Sequence, residues 1–257
     1  MRVFLFVPCF IDQFFPNVAL SATKVLEHLG CEIVFPVEQT CCGQPAFNSG
    51  YVEEARVVAM HEANAFIRFG ANVNNTHDDS FNPNNDYIVG LSGSCVAMIR
   101  NYYPGLLSEL PGFSNIADQF TDRVYEFTEF IAKVIGVEKF SGKLDAVVSF
   151  HDSCHGLREL GLYEEPRSLL ARIKGLRLVE LPYNDVCCGF GGTFSVKFPE
   201  ISSAMADEKL QRLKSTGADI LVSGDSSCLM HLQGRARRLS IQTRFAHIAE
   251  IMGESIR

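Results

Sequence analysis

The stretch GCEIVFPVEQTCCG (residues 30–43) has a counterpart later in the chain, GLRLVELPYNDVCCG (residues 175–189), and this repeat decides the fold. Each copy is a short apolar run, typical of a buried strand, that leads to a cysteine pair followed by glycine. One cysteine lies 32 or 33 positions before each pair, and another follows it. Eight of the nine cysteines thus form two copies of one pattern, which are Cys9, Cys41, Cys42 and Cys95, and Cys154, Cys187, Cys188 and Cys228.

The flanking sequence repeats too, which argues against a coincidence of spacing. Residues 87–95 (YIVGLSGSC) align without a gap on residues 220–228 (ILVSGDSSC). Apolar runs at residues 2–7 and 146–150 lead to the first cysteine of each copy. We therefore predict three buried strands in each half, with a cysteine just past the end of each.

Helical patterns lie between the predicted strands, at residues 16–30, 51–69, 121–135 and 199–216. This alternation predicts an α/β fold in which each half is a small parallel sheet flanked by helices. Ligands of such sheets bind at the carboxyl ends of the strands, which is where the cysteines fall. The internal duplication predicts two similar domains, residues 1–140 and 141–257.

The two copies differ in length after the cysteine pair. The excess in the first copy coincides with the Asn-rich stretch ANVNNTHDDSFNPNN at residues 71–85. Such a composition favours a surface insertion, and a solvated loop is a simpler interpretation than a functional lid.

Composition and charge exclude several classes of protein. The chain has 257 residues, of which 47% are hydrophobic, so it can bury a core and is neither disordered nor fibrous. Its net charge of −7 argues against a nucleic-acid partner, because binding phosphates requires a basic face. The apolar run at residues 3–11 is too short to span a bilayer and lacks the features of a secretory signal. We therefore predict a cytoplasmic protein with no membrane span.

Nine cysteines in a reducing compartment point to metal or redox chemistry. Four thiolates from three strand ends suit an iron–sulfur cluster or zinc. Iron–sulfur is favoured, because adjacent cysteines reach two irons of a cluster more easily than they bind one tetrahedral ion. A vicinal disulfide would be strained and ranks lower. Cys31 has no counterpart in the other half, and we interpret it as a buried apolar residue.

Other motifs are weaker. The segment CGFGGTF lacks the last glycine of a dinucleotide-binding fingerprint, and the glycines instead favour close approach of the backbone to a cluster. The histidines near the cysteines are interpreted as polar neighbours, with roles as ligands or proton carriers left open; they are His151, His155 and His231. A basic run is interpreted as a solvated helix face rather than a docking site for an acidic partner; it comprises Arg235, Arg237 and Arg238.

Longer stretches are specific enough to indicate a family. FPVEQTCCGQPAFNSGY, SGSCVAMIRNYYP, HDSCHGLRELGLYEEPRSLL and CCGFGGTFSVKFPE resemble the signature segments of the lactate-utilization protein A family. That family carries a duplicated cysteine-rich CCG domain and is related to the B subunit of heterodisulfide reductase and to the iron–sulfur subunit of glycolate oxidase. The resemblance covers nearly the whole chain. It implies a cytosolic component of a three-protein complex that oxidises L-lactate to pyruvate.

One departure from the wider superfamily affects the expected chemistry. The heterodisulfide reductase relative has a fifth cysteine in each half, where this chain has Ser92 and Asp225. Four cysteines per half suffice for an ordinary [4Fe-4S] cluster, so we predict one such cluster in each half. Whether Ser92 or Asp225 is an extra ligand, or leaves an iron open to substrate, stays open.

The resulting functional hypothesis is an iron–sulfur electron-transfer component, a non-flavin subunit of an L-lactate-oxidising complex with other protein subunits as partners. No catalytic residue is predicted. One alternative is an iron–sulfur enzyme that itself acts on a disulfide or on another small 2-hydroxy acid. Another is a zinc-stabilised assembly protein.

Overall fold

Two four-stranded parallel sheets organise the chain, of which this computed structural model describes residues 1–67, 81–108, 110 and 120–256. The strand order is β2-β1-β3-β4 in the first sheet and β6-β5-β7-β8 in the second. The prediction of similar halves, each with a small parallel sheet, is confirmed. The strands are β1 (Arg2–Phe6), β2 (Glu32–Val34), β3 (Tyr87–Gly90), β4 (Val124–Glu126), β5 (Gly142–Phe150), β6 (Ile173–Leu178), β7 (Ile220–Ser223) and β8 (Arg244–His247).

Helices follow the strands on both faces of each sheet. Those of the first half are α1 (Cys9–Phe14), α2 (Pro16–His28), α3 (Gln44–Asn48), α4 (Val52–Ile67), α5 (Gly93–Leu107) and α6 (Phe127–Glu129), which continues as a π-helix (Phe130–Gly136) and a 3-10 turn (Val137–Lys139). Those of the second half are α7 (Cys154–Arg158), α8 (Glu164–Leu170), α9 (Thr193–Lys197), α10 (Pro199–Thr216), α11 (Ser226–Arg238) and α12 (Ile248–Ser255).

Local sequence explains where the main helices begin and end. Proline occupies the first position of α2 and of α10, where its missing N–H has no helical partner to lose. Gly217 ends α10 in the left-handed conformation, with φ +65°, which glycine adopts without steric cost.

Two expectations from the sequence need correction. Each sheet has four strands instead of three, because β4 and β8 were not predicted. The helix expected at residues 121–135 was also wrong, since β4 occupies residues 124–126 and the helix after it begins only at Phe127. The predicted surface insertion at residues 71–85 lies mostly outside the described residues, which resume at Phe81.

One hydrophobic cluster spans both halves, beside a further cluster within each half. One buried cluster includes Val3 and Leu5 of the first sheet together with Val148 and Val222 of the second. The C-terminal helix α12 packs against α2, and Lys24 Nζ donates to two carbonyl oxygens at the end of α12, at 2.7 and 2.8 Å. The division at residues 140 and 141 therefore stays a prediction, although β5 begins just after it.

The fourth strand of each sheet leads directly into a helix that begins with a capping box. Glu126 caps α6 and His247 caps α12, and both side chains are buried. Burial raises the pKa of Glu126 to about 7 and lowers the pKa of His247 to about 4, because the charged form of each loses its hydration. His247 caps α12 only while it is neutral, because its Nδ1 must be unprotonated to accept from the N–H of Ala249.

The cap at His247 predicts a pH dependence of stability. Below pH 6.5 the unfolded chain binds a proton at His247, whereas the folded chain binds one there only near pH 4, because burial lowers the pKa. Its contribution is therefore complete above pH 6.5 and falls by about 2 kcal/mol between pH 6.5 and 5. Urea unfolding at pH 7 and pH 5 should show that His247→Asn, which keeps a capping oxygen, loses correspondingly less stability than wild type. Equal pH dependence of the two proteins would contradict this account.

Candidate metal centre

All eight repeated cysteines line a single cavity between the two halves, which encloses about 130 Å³ and is called the cysteine cavity below. The carboxyl ends of β1 and β3 face it from one side, and those of β5 and β7 from the other. The sequence predicted the cysteines at the strand ends but not that the two sets meet. Their convergence depends on how the halves pack, which no local pattern records.

Helix starts hold four of the eight thiols. Cys9 and Cys154 are the first residues of α1 and α7, and Cys95 and Cys228 lie in the first turns of α5 and α11. Backbone N–H groups at the start of a helix are not bonded within it, so they favour a nearby thiolate. The cysteine pairs instead lie in the loops that precede α3 and α9.

The four thiols of the first half form a continuous chain of contacts. Cys9 Sγ lies 3.9 Å from Cys41 Sγ, and the Cys42 thiol is within hydrogen-bonding reach of both Cys41 and Cys95. Thiols of Cys42 and Cys9 donate to Cys41 and, with the N–H of Gly43, lower the pKa of Cys41 to about 3. Cys41 is therefore the cysteine whose thiolate form these hydrogen bonds favour in the first half.

The second half repeats this chain of contacts. Cys187 lies within reach of Cys154 and Cys188, and Cys188 within reach of Cys228. Hydrogen bonds from Cys154 and Cys188 lower the pKa of Cys187 to about 2, with a further donor in the N–H of Gly189, 3.3 Å from the sulfur. Repetition of the same donor arrangement on both sides indicates two equivalent ligand sets.

His151 adds a nitrogen to the second set that the first lacks. Its Nδ1 lies 3.2 Å from the carbonyl oxygen of Asn184, so Nδ1 carries the proton, and Nε2 has no partner among the described residues. The imidazole and the sulfurs of Cys188 and Cys228 lie within 4.8 Å of one another. Three residues before Cys9, the equivalent position is Phe6.

The glycine after the second cysteine pair is required by its surroundings. Gly189 has φ +92°, and a Cβ there would lie 2.6 Å from the carbonyl oxygen of Ser202. The backbone of the loop can therefore pack on α10 and point its N–H at Cys187 only if residue 189 has no side chain.

Gly189→Ala should consequently destabilise the protein by about 2–4 kcal/mol, from backbone strain plus the clash, and weaken metal binding in the second half. Gly217→Ala is the matched control, because Gly217 also has positive φ, +65°, but a Cβ there meets nothing within 4 Å and the residue does not line the cysteine cavity. Urea unfolding with metal analysis checks both. Equal effects of the two substitutions would show that the close approach of the loop is unimportant.

The two residues in place of a fifth cysteine join the halves. Asp225 Oδ2 accepts from the Ser92 hydroxyl and from Ser94 N–H, both at 3.1 Å. Its other oxygen, Oδ1, accepts from the N–H and the hydroxyl of Ser227, at 3.2 and 2.5 Å. The carboxylate thus caps α11 and crosses to the start of α5. Its oxygens are already engaged, which disfavours Asp225 as an iron ligand.

The remaining candidates from the sequence divide clearly. His155 lines the cysteine cavity, with Nδ1 3.5 Å from Cys154 Sγ, whereas His231 contacts Ser202 and Phe190 and is not a lining residue. Cys31 is buried in the hydrophobic core, away from the cavity, as expected. Arg235 pairs with Asp207 of α10, and the neighbouring Arg237 and Arg238 are exposed, as in a solvated helix face.

The donor set fits an iron–sulfur cluster in each half. Four soft thiols converge without a disulfide among them. Backbone N–H groups of Gly43, Gly189 and Phe190 point at sulfur, at 3.3–3.5 Å, and can offset the negative charge of a cluster. The four repeated cysteines of each half would hold the cluster, and the walls of the cysteine cavity would shield it from water.

Comparison with known proteins agrees with this architecture. Residues 3–100 and 148–233 both match the CCG family, described as a cysteine-rich domain. The fold and the two ligand sets therefore define a protein built from two cysteine-rich CCG domains. An aspartate racemase homologue of Pyrococcus horikoshii shows a weak structural similarity, with a TM-score of 0.34 and 12% identity over 98% of this chain and 96% of the other.

Full-length relatives narrow the class further. Lactate utilization protein A of Bacillus subtilis (strain 168) is 42% identical over 252 residues, which cover 98% of this chain and 99% of that one. A protein of the same name from an Exiguobacterium species is also 42% identical, over 256 residues that cover 100% of this chain and 98% of that one. The chain belongs to the lactate utilization protein A family.

Proposed function

We propose that the chain is an iron–sulfur electron-transfer component of a cytoplasmic complex that oxidises L-lactate to pyruvate. One [4Fe-4S] cluster is held in each half by its four repeated cysteines. When bound, such clusters accept and donate single electrons. The observation that carries the proposal is the convergence of all eight repeated cysteines on the cysteine cavity, which would bring two one-electron centres together. A relay for the two electrons of lactate oxidation needs this arrangement.

The chemistry of the cavity supports transfer rather than substrate oxidation by this chain. A 2-hydroxy acid is an anion, and sites for such anions usually offer arginine or lysine. Neither occurs among the described residues that line the cysteine cavity, and Asp225 adds a carboxylate. Lactate oxidation is therefore assigned to a partner subunit.

No described helix combines the length and apolar character that crossing a membrane would require.

The family supports the choice of substrate. The relatives named above carry lactate utilization in their names, and they match this chain from end to end. The proposal extends that involvement to this chain, with other proteins supplying the site at which L-lactate is oxidised.

Anaerobic spectroscopy tests this assignment. The purified chain is expected to show visible absorption from iron–sulfur centres that L-lactate alone does not bleach. Bleaching is expected once an extract containing the partner subunits is added, and D-lactate serves as the control. Steady oxidation of L-lactate by the isolated chain with an artificial acceptor would instead favour the enzymatic alternative. A colourless zinc protein would support the assembly protein.

A further inference from the structure

The second helix after each cysteine pair occupies the same place in both halves, which allows position-by-position comparison of α4 and α10. A Cβ on Gly43 would meet the carbonyl oxygen of Ala55 at 3.2 Å, and one on Gly189 would meet that of Ser202 at 2.6 Å. Ala55 and Ser202 are each the fourth residue of their helix. The two helices therefore pack against their cysteine loops at the same helix position, so residues equally far from the two helix starts are equivalent.

At one register position the first half carries a buried acid and the second a buried base. Glu62 lies ten residues after the start of α4, and Lys209 lies ten residues after the start of α10. Both are fully buried, at 0% and 1% exposure. Charged residues are rarely buried to this extent, so the exchange of an acid for a base beneath equivalent sites calls for a reason other than packing.

Each of these side chains holds the loop that carries its cysteine pair. Glu62 Oε2 accepts from the N–H of Thr40, at 2.6 Å, and Thr40 directly precedes Cys41. Lys209 Nζ donates to the carbonyl oxygen of Asn184 at 3.1 Å, three residues before Cys187. The two charges thus lie in the layer immediately behind the thiols.

A buried charge this close to a redox centre changes the energy of adding an electron. A cation behind the centre stabilises the reduced, more negative state and raises the reduction potential, whereas an anion lowers it. Water and salt screen such buried charges weakly. Glu62 lowers the potential of the first centre when ionised and leaves it unshifted when neutral. The buried carboxylate of Asp225 is bonded to Ser92 and Ser94 of the first half as well as to Ser227 of the second, so it lowers both potentials, whereas Lys209 acts behind the second centre.

We propose that Lys209 and Glu62 make the two centres unequal, so that the second centre has the higher reduction potential and electrons pass from the first to the second. This rests on the proposed iron–sulfur function. Each transfer oxidises the first centre by one electron and reduces the second by one, with no bond made or broken. The two residues act on the centres through the protein, without being ligands.

Two full-length variants separate the centres for measurement. Replacing Cys42 and Cys95 with serine leaves only the second centre, and replacing Cys188 and Cys228 with serine leaves only the first. Anaerobic redox titration followed by electron paramagnetic resonance should give a higher midpoint potential for the second centre. This comparison leaves both charged residues in place and so does not depend on a variant that folds poorly.

Charge removal then tests the assigned cause. Lys209→Met should lower the potential of the second centre, and Glu62→Gln should not lower that of the first. Lys214→Met and Glu54→Gln make the same charge changes at exposed positions of the same helices and should cause no shift.

The inference would be overturned if the two centres had equal potentials or if the first had the higher potential. It would also be overturned if Lys209→Met shifted the potential no more than Lys214→Met does. Each of these results would leave the proposed function intact. Absence of iron from both serine variants and from wild type would overturn both.

Discussion

Replacing Cys187 and Cys188 together with serine should remove about half of the iron bound by the chain and leave the other half in place. The pair would supply two of the four proposed ligands in the second half, including Cys187, whose pKa is lowered to about 2, so a cluster should not be retained there. The first half keeps its own four thiols. Serine for Cys41 and Cys42 should remove the complementary half.

Iron and acid-labile sulfide per chain measure this result, with Cys31→Ala as the matched control. Cys31 is buried in the core and does not line the cysteine cavity, so its replacement should leave the iron content unchanged. Loss of all iron from both double variants would contradict the assignment of separate centres. Because the ligand sets share one cavity, that result would indicate a single centre bridging the halves.

Asp225→Ala is expected to destabilise the folded chain by about 3 kcal/mol or more. The substitution removes the cap of α11 and the bonds that Ser92 and Ser94 make across the halves. Loss of a cap costs about 1 kcal/mol, and each buried donor left without its charged acceptor adds about 1–3 kcal/mol. Both ligand sets should lose rigidity, because Ser94 and Ser227 neighbour Cys95 and Cys228.

Urea unfolding and iron retention check the effect, with Ser94→Ala as the control. Ser94 bonds to Asp225 through its backbone N–H, which alanine keeps. The stability of the Ser94→Ala protein should therefore differ little from that of wild type. If Asp225→Ala unfolded like wild type yet lost iron from the second half alone, Asp225 would instead be a ligand.

The sequence predicted the parts of the fold that local patterns record. The repeat of strand and cysteine pair predicted two parallel sheets, and Pro199 and Gly217 marked the ends of α10. The strands β4 and β8 were missed because neither precedes a cysteine, so the repeated pattern did not mark them. Apolar residues at helical spacing hid β4 inside a predicted helix.

Relations between the halves were beyond the reach of the sequence pattern. The link from Ser92 to Asp225 joins residues 133 positions apart, and only packing brings them together. His151 was identified beside Cys154, but its approach to Cys188 and Cys228 depends on the tertiary fold. The exchange of Glu62 for Lys209 could have been found by extending the alignment of the repeats into α4 and α10.

The most direct test of the account is the content of iron, acid-labile sulfide and zinc in the anaerobically purified full-length chain. Two [4Fe-4S] centres predict about eight irons with matching sulfide and little zinc. About four irons would mean that only one half binds a cluster and would contradict the relay. Zinc in place of iron, or no metal after anaerobic reconstitution, would refute the electron-transfer function and leave the thiols as a scaffold.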